Sequence, residues 1–117
     1  MKLNKKEKEM LENYKEELHN KKKYSREEIE NLINSISEDA YGSYRSLIDS
    51  QLLRAYEIAM TYSHPSLSIL DFVHAANEGL EVAVTEYNYS DYDSFIKKIE
   101  EGINNSIAII LSFFEAN

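Results

Sequence analysis

The sequence predicts an all-α fold, a compact bundle of four or five helices joined by short loops, and three observations predict it. Apolar residues recur at helical spacing along almost the whole chain. Breaks are scarce: one Pro and three Gly in 117 residues, too few for a β fold rich in tight turns. Finally, Ser and acidic residues stand together just ahead of apolar stretches, where helix N-caps belong.

Residues 4–22 carry a narrow stripe of Met10, Leu11, Tyr14 and Leu18 inside dense charge. That is the width of a coiled-coil seam, so this helix is expected at the domain edge or against a second copy, giving a possible homodimer through 4–22. Ser25-Arg26-Glu27-Glu28 is a capping box opening a helix that buries Ile29, Leu32, Ile33 and Ile36. A third helix runs from about residue 38 or 43 to Thr61, with Tyr41, Tyr44, Ile48, Leu52, Ala55, Ala59 and Tyr62 on its inner face. Gly42 blurs its start, and Ser63-His64-Pro65 ends it. The fourth opens at Ser68-Ile69-Leu70-Asp71 and buries Ile69, Phe72, Val73, Ala76, Leu80, Ala83 and Tyr87. The fifth opens at Ser90-Asp91-Tyr92-Asp93, with Ser90 and Asp93 as the cap pair. It carries Tyr92, Phe95, Ile96, Ile99, Ile103, Ile110, Phe113 and Phe114 on one side. Gly102 and Ser106 lie on that stripe, where small residues permit close helix approach. This last helix, the most apolar, is expected at the centre of the core.

Composition bounds the chemistry. The length supports one domain over 1–117: a charged helical segment, 1–24, on an acidic body, 25–117. A hydrophobic fraction of 43% is too high for a disordered chain. With no Cys, there is no disulfide framework, thiolate metal site or thiol nucleophile. The basic start Met1-Lys2-Leu3-Asn4-Lys5-Lys6 is followed by no apolar stretch, so no signal peptide is expected. The longest apolar run, Ile107 to Leu111 with Phe113 and Phe114, is too short to span a bilayer. A cytoplasmic protein without a membrane partner is expected.

The net charge of −8 is unevenly placed. Residues 1–30 hold nine basic and eight acidic side chains, a net of +1; residues 31–117 hold four and thirteen, a net of −9. Such a body repels a phosphate backbone, so no nucleic-acid partner is expected, and the cluster Lys21-Lys22-Lys23 with Tyr24 and Arg26 reads as a helix end complementing its dipole. Glu16-x-x-His19 and Asp71-x-x-His74 have the spacing of carboxylate–histidine metal helices. Both histidines fall on polar faces, so neither a metal nor a cofactor is expected. There is no Gly-rich phosphate loop, no Gly-x-Ser-x-Gly, and His64 before Pro65 is a loop histidine. The chain reads as a binding protein, not an enzyme.

Three acidic segments are candidate partner-binding surfaces. In residues 86–93, Glu86, Tyr89, Asp91, Tyr92 and Asp93 combine acids that steer a basic partner with tyrosines that supply contact area at low entropy cost. Tyr89, lying between helices, is the tyrosine least explained by packing. Glu38 and Asp39 precede Tyr41 and Tyr44 in a segment of the same composition. Asp71, Glu78 and Glu81 form an acidic stripe with Val82 at its edge.

In size, charge and helix content the chain resembles the acidic helical immunity proteins that bacteria pair with nuclease toxins, of the colicin or contact-dependent-inhibition type. The resemblance implies an antitoxin that covers the substrate-binding surface of a basic nuclease. Two alternatives stay open: a phage-encoded nucleic-acid mimic acting against a defence nuclease, and a self-associating structural or regulatory bundle using the 4–22 seam.

Overall fold

A computed structural model describes residues 2–115; Met1, Ala116 and Asn117, at the ends of the expected domain, lie outside the described residues. The chain forms α1 (Lys5–Asn20), α2 (Arg26–Asn34), α3 (Ala40–Ala59), α4 (Ile69–Thr85) and α5 (Tyr92–Glu115), with no strand among the described residues.

The helix starts follow from local hydrogen bonding. A helix leaves its first N–H groups without intrahelical partners, and a side-chain oxygen just ahead of it satisfies one. Asn4 and Glu7 form a capping box on α1, Ser25 and Glu28 on α2, Ser68 and Asp71 on α4. The Glu28 carboxylate also receives Lys22 Nζ at 2.8 Å. That hydrogen bond and the one from the Ser25 N–H hold its pKa down at about 2. Asp39 caps α3 by accepting from the Gly42 N–H at 3.0 Å, which places the start at Ala40. The cap of α5 lies one residue later than Ser90: Asp91 Oδ1 accepts from the Ser94 N–H at 2.8 Å. The Ser94 hydroxyl in turn accepts from the Asp91 N–H at 3.1 Å.

The most extensive helix contact is α4 on α5, followed by α3 on α4, in a slab 44 × 33 × 20 Å. This corrects the expectation for the centre. Eight α4 residues are buried, from Phe72 to Val84, against four on the longer α5: Phe95, Ile99, Ile103 and Ile107. At about 1.5 Å per residue α5 outruns the body. Beyond Ile107 it buries no described side chain, and Phe113 (71% exposed) and Phe114 lie open. The inner face of α3 is also rotated from the expected one. Ser43, Leu47, Gln51, Ala55 and Ala59 point inward at four-residue steps, joined by Tyr56. Tyr41 is 73% exposed, while Tyr44, Ile48 and Leu52 pack at the flank. Contacts with α1, α2, α4 and α5 surround α3, so no single apolar stripe marks its inner side.

α1 takes the edge position. Leu18 is buried, Leu11 and Tyr14 pack against the core, and the Tyr14 ring meets Tyr56 edge-on at 6.2 Å. Asn77 Nδ2 donates to Tyr14 Oη at 3.2 Å, and Lys21 pairs with Asp49 at 2.8 Å. Only Met10 of the expected seam stays exposed.

The contact of α4 with α5 is set by glycine. A Cβ on Gly102 would lie 2.7 Å from Ala83 Cβ and 2.9 Å from the Gly79 carbonyl oxygen; one on Gly79 would lie 2.8 Å from Ser106 Cβ. The backbones touch where side chains would otherwise hold them apart. In an isolated helix Gly→Ala stabilises by ~1 kcal/mol. Here Gly102→Ala should instead destabilise by about 1–3 kcal/mol, because overpacking outweighs propensity; urea unfolding followed by circular dichroism measures this. A second expectation concerns acid. The Glu28 carboxyl titrates well below its ordinary 4.5 in the folded chain, so its contribution to stability is complete above that value and is lost as pH falls toward 2. The melting temperature should drop between pH 5 and pH 2, and drop less in Glu28→Gln.

Candidate functional site

The acidic segments resolve into residues with structural work and residues without it. In 86–93 the chain leaves α4 through Tyr87, whose φ of 50° places it in the left-handed region that ends helices. This turn aims Tyr89 inward, correcting the expectation of an exposed contact residue. Tyr89 is 6% exposed, stacks edge-on against Phe95 at 5.0 Å, and donates its hydroxyl to the Val84 carbonyl at 2.7 Å. Burial pushes its phenol pKa well up. Asp91 is spent as the α5 cap, and the Ser94 N–H holds its carboxyl below the usual range. Tyr92 is half-buried under Arg26, whose guanidinium lies 4.8 Å from the ring centre, and Asp93 lies 3.6 Å from the same guanidinium. Glu86 faces solvent with neither a cap role like that of Asp91 nor an ion-pair partner among the described residues.

The other segments divide similarly. Asp39 caps α3 and Glu38 is exposed beside it. Tyr44 touches Tyr87 at 6.5 Å, so the two tyrosine-bearing segments adjoin. Asp71 is tied to Ser68, its Oδ2 2.8 Å from the Ser68 N–H. Glu78 pairs with His74 at 3.0 Å on the exposed face, and Glu81 is exposed. His19 is held by the Lys15 carbonyl at 2.8 Å, and among the described residues no three His, Asp or Glu are grouped to hold a metal ion.

Two concavities flank α5. One, of about 570 Å³, lies between α2, α3 and α5 and has Tyr24, Tyr92 and Ile58 in its walls. Its polar groups satisfy one another: Arg54 Nε donates to Gln51 at 2.8 Å, and Arg54 Nη1 meets Glu100 at 3.2 Å. This is a half-exposed polar junction tying α3 to α5.

The other is a trough of about 300 Å³ over the glycine contact of α4 and α5. Gly79, Ala83, Gly102 and Ser106 line it, and their small size makes it concave. Val82 (54% exposed) and Ile109 (59% exposed) also line it, and neither is covered by any described residue. Glu78, Glu86 and Glu101 stand around it with Lys98 as its one cation, and Glu81 precedes Val82 on α4. Glu81, Glu86 and Glu101 have no ion-pair partner among the described residues. Of the expected site residues, then, the structure brings together Glu78 and Glu86, while Glu81 is exposed on α4 outside the trough's lining. The fold sends Tyr92 and Asp93 to the α2 side and keeps Tyr89 in the core. Glu101 and Ile109 were missed; their spacing from Gly102 and Ser106 on a helix was the available signal.

No described helix is long and apolar enough to cross a membrane. Residues 2–62 match a family described as "Uncharacterized protein conserved in bacteria (DUF2087)"; these residues hold α1, α2 and α3, and the trough lies beyond them. No curated protein and no solved structure matches the chain.

The site assignment makes Tyr89 a stability residue. Tyr89→Phe should cost about 1 kcal/mol through the lost hydroxyl bond, and Tyr89→Ala about 3–5 kcal/mol through the cavity it leaves. Thermal denaturation of both variants checks this, and a Tyr89→Ala variant as stable as the parent would return Tyr89 to the surface.

Proposed function

The chain belongs to a family of proteins conserved in bacteria, and from that premise we propose that it is a binding protein, not a catalyst, which holds a basic protein through the α4–α5 trough. One observation carries this: exposed apolar side chains, Val82 and Ile109, sit inside a rim of carboxylates of which Glu86 and Glu101 have no ion-pair partner among the described residues. Exposed apolar area supplies affinity, and the surrounding charge steers encounter and selects the sign of the partner.

The finer reading is an immunity protein whose partner is a nuclease toxin. A nuclease presents a cationic substrate surface, and an acidic protein seated on it competes with the phosphate backbone by occupying the same charges. The body's net charge of −9 over residues 31–117 supports that competition. A phage-encoded mimic directed at a defence nuclease would use the same chemistry. Self-association through 4–22 has less support, because Leu11, Tyr14 and Leu18 are already engaged within the chain.

The test uses the product of the adjacent gene, purified and assayed for nuclease activity with and without this protein. Inhibition is expected, with association slowing markedly as salt is raised. Reversing the rim charges in Glu78→Lys, Glu86→Lys and Glu101→Lys together should weaken the complex by about 2 kcal/mol or more. Unchanged affinity in a folded triple variant removes the trough from the reading, and binding without inhibition removes the immunity role.

A further inference from the structure

We infer that the trough's occupant is a single basic amphipathic helix, lying alongside α4 and α5 as a third helix; this rests on the binding role proposed above and specifies its partner.

Backbone chemistry selects a helix. The trough is walled by the interiors of two α-helices, whose N–H and C=O groups already bond one another. An extended segment laid there would find no main-chain partner and would bury unsatisfied polar groups of its own. A helix brings its backbone already satisfied and needs only side-chain contacts, the mode in which amphipathic helices dock into apolar grooves.

The dimensions agree. On α5, Lys98, Gly102, Ser106, Ile109 and Phe113 fall on one face at 100° per residue. Lys98 to Ile109 spans about 16 Å, or three helical turns. The small floor lets a third backbone come close, and the open side chains of Val82, Ile109 and Phe113 offer it apolar contacts.

The charge selects the partner's sign. Among the lining residues three carboxylates, Glu78, Glu86 and Glu101, stand against the single cation Lys98, and only Glu78 has a partner, His74 at 3.0 Å. A second copy would bring like charges together across the trough, and a neutral helix would leave the carboxylates without counterions. Lys and Arg flanking an apolar stripe meet both demands.

The experiment uses the full chain and three synthetic, fluorescently labelled 18-residue peptides. One has Leu and Ala at helical spacing with Lys elsewhere. A second has the same composition with its apolar residues at every other position. A third is the helical peptide with Glu replacing Lys. Anisotropy titration at low salt should show saturable binding of the first, at least tenfold weaker binding of the second, and none of the third. Val82→Ser and Ile109→Ser should each weaken the first peptide several-fold while keeping a native circular-dichroism spectrum. Equal binding of the two Lys peptides overturns the helix inference and leaves a general acidic attraction, so the binding role survives. Binding of the Glu peptide overturns the charge argument. No binding of any peptide overturns this inference, whereas the functional reading falls only with the neighbour-gene assay.

Discussion

The molecule depends on the place where α4 and α5 meet backbone to backbone. Gly79 and Gly102 face each other so closely that a methyl group on either would enter its neighbour. Two consequences follow from the same absent side chains. The helices approach closely enough for Leu80, Ala83, Ile99 and Ile103 to be buried without residue. On the outer side the missing bulk leaves a furrow. Core packing and the floor of the candidate binding surface are therefore two faces of one contact, and a side chain added at Gly79 or Gly102 would alter both.

The acidic charge is likewise divided between two tasks. Asp39, Asp71 and Asp91 sit at helix N-termini, where each satisfies a backbone N–H and complements the helix dipole. Asp49 and Glu28 hold Lys21 and Lys22, and Asp93 stays near Arg26. Lys21, Lys22 and Arg26 of the basic cluster are consequently paired where they stand. Once these duties are subtracted, the carboxylates left over include those around the trough. A negative surface there costs the fold little, since exposed carboxylates remain hydrated until a partner arrives.

Much of the fold was legible because its signals are local. A capping box needs only two residues three apart, so the starts of α2 and α4 could be read from Ser25 with Glu28 and Ser68 with Asp71. The small-residue stripe on α5 announced a close approach in the same way. The errors arose where several neighbours compete for one element. α3 is packed from more than one side, so a single-face reading rotated it and missed Leu47, Gln51 and Tyr56. α5 has the longer apolar record, but an apolar face is buried only if something lies against it, and nothing among the described residues covers Ile109 or Phe113.

The sequence by itself determined the helices, the caps of α2 and α4, the uneven charge and the absence of thiol chemistry, because these depend on residues close in the chain or on composition alone. Tertiary structure decided which carboxylates remain free, which way Tyr89 turns and where apolar surface is left open. Those outcomes depend on what stands opposite each side chain, and Gly79 and Gly102, far apart in sequence, settle that only when α4 folds back on α5.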